Sequence, residues 1–138
     1  MKRQYFTYVA AIAVILSSVA AFGQNMNVRA NVPFNFVVRG NTLPAGQYDI
    51  LSMSSTGGVL SVRMENKPMA TIGTNSIESL TASEKTKLIF HRYGSEYFLA
   101  EVWLEGNSRG VEIPKTHREK ELALNQGPGQ VVVLAELR

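Results

Sequence analysis

The chain carries two histidines, His91 and His117, one aspartate, Asp49, and no cysteine, and these few residues limit the chemistry open to it. Two histidines without a thiolate cannot assemble a structural zinc site of the usual nitrogen and sulfur ligands. A Ser-His-Asp relay would have to recruit Asp49, and the G-x-S-x-G turn that exposes a nucleophilic serine is absent. Glu101 and Glu105 are conceivable as a glycosidase pair, but that chemistry needs a cleft and a defined carboxylate separation, neither of which is visible in the sequence. Gly106 to Gly110 lacks the spacing and the following helix of a phosphate loop. What remains is His91 and Arg92 facing Glu101 across a turn. As an enzyme they would form a small acid-base site, whereas as scaffold they make cross-strand pairs worth a few tenths to about 1 kcal/mol each. The scaffold reading carries more weight, so no catalytic, metal or cofactor site is expected.

These residues belong to the stretch Lys87 to Leu104, KLIFHRYGSEYFLAEVWL, which reads as two strands folded on Gly94-Ser95 and holds the only tryptophan. A two-residue type II′ loop places glycine where φ is positive. It would set Arg92 opposite Tyr97 and Phe90 opposite Leu99, with Leu88, Phe90, Arg92, Tyr97, Leu99, Glu101 and Trp103 on one face. A three-residue loop would instead gather Leu88, Phe90, Phe98, Ala100, Val102 and Leu104. A one-residue slip exchanges the faces, so the sequence leaves both registers open. In either register both faces are more apolar than a half-solvated sheet requires. A helix or second sheet covering the extra face is the simplest account; otherwise His91, Arg92, Tyr97, Leu99, Glu101 and Trp103 are the candidate binding surface.

Around this hairpin the chain alternates in the period of two that marks strands with one buried face. Asn27 to Val38 reads as one strand, with Pro33 placing it at an edge or bulge. Gln47 to Met53, Leu60 to Met64, Met69 to Glu78 interrupted by Gly73, Val111 to Ile113 and Gln130 to Leu137 follow, separated by turn residues. Val131 to Ala135 is apolar on both faces, which predicts a strand inside a sheet. Thr116-His117-Arg118-Glu119 fits a capping box opening a two-turn helix from His117 to Leu124. Lys115, His117, Arg118 and Lys120 interleave with Glu119 and Glu121, predicting a solvated helix face with Lys115–Glu119 and His117–Glu121 pairs rather than a polyanion site. The expected fold is all-β: a small antiparallel β-barrel or β-sandwich of about seven to eight short strands with one short C-terminal helix.

The N-terminus adds a location. Met1-Lys2-Arg3, an apolar run from Tyr8 to Ala21 and the small residues after it predict a signal peptide over residues 1–23, with cleavage after Ala21 as the alternative and 24–138 as one domain. The apolar run is shorter than the roughly 20 residues of a membrane span. Removing Lys2 and Arg3 leaves 12 basic against 11 acidic residues, so the basicity of the whole chain does not predict nucleic-acid binding. Periplasmic or secreted localisation is expected, without a transmembrane span after signal removal, and with a homo-oligomer possible. Strands too short for a membrane barrel argue against an outer-membrane protein.

Four stretches, VPFNF (32–36), LPAGQY (43–48), FHRYGSEYFLAEVW (90–103) and PKTHRE (114–119), together resemble a group of small exported proteins of soil bacteria. The resemblance spans almost the whole chain after residue 23. It implies export and an all-β domain, and it carries no activity and no catalytic residues. The expected function is therefore a non-catalytic binding or structural role in the envelope or outside the cell, with an envelope or extracellular protein as partner. A carrier of a small apolar ligand in a barrel cavity and an enzyme using His91, Arg92 and Glu101 are the alternatives.

Overall fold

Val28, Ala30 and Val32 are all buried while the residues between them are not, as extended backbone with one face on a core requires. The computed structural model describes residues 26–53 and 58–138, so the signal peptide expected at 1–23 lies outside the described residues. Among the described residues eleven strands form: β1 (Asn27–Val32), β2 (Phe36–Val38), β3 (Asn41–Leu43), β4 (Gly46–Ser52), β5 (Val59–Met64), β6 (Lys67–Gly73), β7 (Asn75–Glu78), β8 (Lys87–Tyr93), β9 (Glu96–Trp103), β10 (Arg109–Glu112) and β11 (Gly129–Leu137). One helix, α1 (His117–Asn125), lies between β10 and β11. The all-β expectation holds, but its count of seven to eight strands does not. The run expected at 27–38 is split at Pro33, which cannot donate to a ladder; the run at 69–78 is split at Thr74; and β3 forms inside what reads as a turn.

The pairings run almost full circle. β1 pairs β4, β4 pairs β5 and β5 pairs β6; β7 continues β6 and pairs β10; β10 pairs β9, β9 pairs β8, β8 pairs β11, and β11 returns to β1. The result is a nearly closed barrel whose ring passes through the covalent bend at Thr74. β2 runs parallel to β9 beside Phe98 and carries β3 on its other edge. β11 has a partner on each side, as its doubly apolar sequence predicts.

The interior is filled by rings. Phe36 meets Tyr48 and Phe90 edge-on at centroid distances of 5.0 and 5.4 Å, and Phe34 meets Phe90 at 4.9 Å before stacking on Tyr97 at 3.9 Å. Aliphatic residues from Val28, Ile50, Leu60, Val62, Leu88 and Val102 close around them. The LPAGQY stretch has a local logic: the buried Tyr48 hydroxyl donates to the Pro44 carbonyl, and Asn35 Oδ1 accepts from the Ala45 amide at 2.9 Å, tying the β1–β2 link to the entrance of β4.

Asp49, the sole aspartate, takes no part in a relay. It lies opposite Arg29 on β1, and the guanidinium grips it twice, Nε to Oδ1 at 2.7 Å and Nη2 to Oδ2 at 3.2 Å. Arg29 holds the carboxyl below its ordinary range, chiefly through these hydrogen bonds. A carboxyl with a depressed folded-state pKa adds stability above its unfolded value, and that contribution is lost as pH falls through the folded value. Asp49→Asn is therefore expected to lower the urea midpoint at pH 7 by a small amount and to leave it unchanged at pH 2. An equal loss at both would show that the pair acts by shape alone.

Candidate binding groove

The β8–β9 hairpin uses both registers that its sequence allows. Gly94, at φ 63, opens a two-residue loop, so Tyr93 faces Glu96, Arg92 faces Tyr97 and Phe90 faces Leu99. Ladder pairing then shifts, and Ile89 faces Glu101, Leu88 faces Val102 and Lys87 faces Trp103. Ala100 is the extra residue of a β-bulge, which reverses the facing of everything beyond it.

The bulge divides the candidate binding surface. Leu99 is buried in the core, and Tyr97 is stacked under Phe34 at one end of the barrel with the Arg92 guanidinium 5.6 Å from its ring centre. Arg92 Nε also donates to the Gly94 carbonyl at 2.8 Å. His91, Glu101 and Trp103 lie on the opposite, outer face beside Ile89, Tyr93 and Phe98. There Trp103 Nε1 donates to Glu101 Oε2 at 2.8 Å. The structure thus brings together three of the six residues and sends Arg92, Tyr97 and Leu99 elsewhere.

That outer face is covered in two different ways. Over its turn half lies α1, begun by Thr116, whose side chain accepts from the Glu119 amide as the capping box predicts. His117 pairs with Glu121 at 3.0 Å, also as expected, and Arg118 pairs with Glu96 on β9. The expected Lys115–Glu119 surface pair is replaced. The Glu119 side chain is buried against the hairpin, with Oε1 4.0 Å from His91 Nδ1. A carboxylate that follows a capping threonine by three residues reads as a solvated or capping group, so the sequence signal pointed away from this contact.

Among the described residues, no helix lies over the base half, only the loop 79–85 at one side. Ile89, Trp103, Val132 and Leu134 line an open groove of about 610 Å³, walled by the loop 79–85 and edged by Lys87 and Glu101. The loop is anchored to the turn after β9 by bonds between Ser83 and Asn107 and between Gly106 and Ser83. Trp103 packs down against Gly110, its cross-strand partner, and is nearly buried, whereas Val132 and Leu134 are 49% and 57% exposed. Sequence reasoning does not single out Val132 and Leu134 as site residues. The doubly apolar run Val131 to Ala135 is their signal, and an interior strand with partners on both sides accounts for it equally well.

The electrostatics of the outer face are mixed. His91 is held below the ordinary imidazole range, first by burial and then by Lys115, with Glu101 opposing. Glu119 is pushed up by burial, with Lys115 opposing. A second cleft of about 300 Å³ opens beside His91, with Lys115, Lys120, Glu101 and Glu112 in its walls. Among the described residues no cluster of three or more His, Asp or Glu side chains is placed to hold a metal ion, and no helix is long and apolar enough to cross a membrane.

Compared with protein-family models, with curated proteins and with solved structures, the chain finds no match.

Proposed function

We propose that this chain is an exported, non-catalytic binding module that holds a protein partner of the envelope or extracellular space along the groove between β8, β9, β11 and the loop 79–85. The observation that carries the reading is the apolar lining of Ile89, Trp103, Val132 and Leu134, in which Ile89 and Trp103 form a buried floor and Val132 and Leu134 stand 49% and 57% exposed, beside the half of the same face that α1 covers. Contiguous apolar surface rimmed by polar groups is the usual mark of an interaction site. The groove is open, so a small apolar ligand lying in it would stay half in water, while small-molecule sites normally bury most of their ligand. Export rests on the charged, apolar and small-residue order of the first 23 residues.

The test is a charge placed on the floor. Leu134→Glu sits on an exposed position and is expected to change folding stability by less than about 0.5 kcal/mol. It is expected to weaken partner binding on the order of 100-fold, because a carboxylate placed on the apolar floor, even with Lys87 opposite it on β8, would be desolvated on contact. Native mass spectrometry of the protein purified from periplasm or culture medium reads the outcome. A partner or second copy present on the wild type and absent on the variant supports the groove. A variant that keeps the same companion, or a wild type that is a bare monomer, counts against it.

A further inference from the structure

Helix α1 is attached to the barrel in an unusual way. Of its nine residues the only buried one is Glu119, at 4% exposure, while Leu124 is 87% exposed. An amphipathic helix normally seats an apolar stripe; here the residue seated deepest is a carboxylate, with Leu122 and Ala123 on the same face only half-buried. Beneath it the polar atoms do not pair off, for His91 Nδ1, Tyr93 Oη and Glu119 Oε2 are all buried without a hydrogen-bond partner. A buried polar group left unpaired costs roughly 1–3 kcal/mol, more if it is charged, so this contact is held at low net gain. Pro114 before the helix and Gly127-Pro128-Gly129 after it bound the segment.

We infer that α1 is a releasable cover over the turn half of the binding face, and that its lifting joins Tyr93, Phe98 and Ala100 to the groove floor of Ile89 and Trp103. The inference rests on the groove reading for its purpose but not for its mechanics. The groups facing Glu119 are His91 and Tyr93 from β8 and Lys115 from the preceding link; Glu101 acts on His91, and Glu96 is engaged by Arg118.

Two titrations act on the cover with opposite signs. Glu119 is raised in the closed position, so its share of closure is complete below the ordinary glutamate range and lost as pH rises through the raised value. His91 is lowered, so its share is complete above the ordinary imidazole range and lost as pH falls through the lowered value. Substitution separates them.

Hydrogen exchange on the full mature chain, expressed as protection factors, is the measurement. In the wild type at pH 7.5, α1 is expected to exchange by local opening, at least about tenfold less protected than β8 and β9. Glu119→Gln and Glu119→Leu, both uncharged, are each expected to raise α1 protection about tenfold at pH 7.5 and to change it little at pH 4. Equal protection of α1, β8 and β9 in the wild type, or neutral variants that exchange like the wild type at pH 7.5, would overturn the cover. Because exchange is read without a partner, a failed groove with a responsive helix is distinguishable from the reverse.

Discussion

Phe90→Ala is expected to remove about 3–5 kcal/mol of folding stability, a large part of the 5–15 kcal/mol typical of a whole domain. Phe90 is fully buried, and two other rings meet it edge-on: Phe34 at 4.9 Å and Phe36 at 5.4 Å. Removing it withdraws the apolar area of one ring and also breaks two aromatic contacts worth roughly 0.5–1.5 kcal/mol each beyond area. The void would lie among strands already fixed by ladder bonds on both sides, since β8 pairs with β9 and with β11. A wall held in that way collapses poorly into a cavity, which places the cost toward the upper end of the range. Urea denaturation gives the number, and the comparison with Phe34→Ala sharpens it. Phe34 is only half-buried, so its loss should cost less than half as much. Comparable losses would mean that the barrel end, not its centre, holds the fold. With no cysteine in the chain, no disulfide can compensate for the lost packing.

Much of this architecture was legible in the residues. Alternation at Val28, Ala30 and Val32, the turn at Gly94-Ser95, the threonine cap of α1 and the double-sided partnering of β11 follow from rules that act over a few residues. Features that failed to show depend on contacts distant in sequence. The split of the first strand at Pro33 was visible as a proline, but the second half could be placed only because β9 has a free length beside Phe98 for β2 to occupy. The bulge at Ala100 has no signature of its own; it exists because Leu99 and Val102 must both reach the core from the same strand. That one extra residue decided the candidate site, moving Glu101 and Trp103 away from Arg92, Tyr97 and Leu99 and toward His91. Glu119 was hidden for a related reason, since its partner lies on a strand 28 residues earlier in the sequence. The groove needed both: an outward-turned Trp103, and a helix short enough to leave the base half to the loop 79–85 and the exposed Val132 and Leu134.

Gly110→Ala is expected to destabilise the fold by about 2–3 kcal/mol and to move Trp103 out of its seat. The usual effect of this substitution in a strand is the reverse. Alanine restricts the unfolded chain, and where the native backbone tolerates it the gain is about 0.4–1 kcal/mol. Here the added carbon would lie 2.7 Å from Trp103 Cδ2 and Cε3 and 2.9 Å from the Val102 carbonyl oxygen. A flexible side chain could retreat from such a contact, but an indole is rigid and this one is tethered to Glu101 through Nε1. The carbonyl belongs to a strand whose neighbouring pairs fix it in place. Relief must therefore come from tilting the indole upward, away from Gly110 and into the groove. Tryptophan emission, which reports this residue alone, should shift to longer wavelength as the ring meets water. Gly127→Ala serves as the control, because a carbon there meets nothing within 4 Å and should cost nothing or stabilise slightly. If the groove binds as proposed, Gly110→Ala also weakens the partner, whereas Gly127→Ala does not. A Gly110→Ala protein as stable as the wild type, with unchanged emission, would mean that Trp103 is not seated on the glycine and that the groove has a different floor.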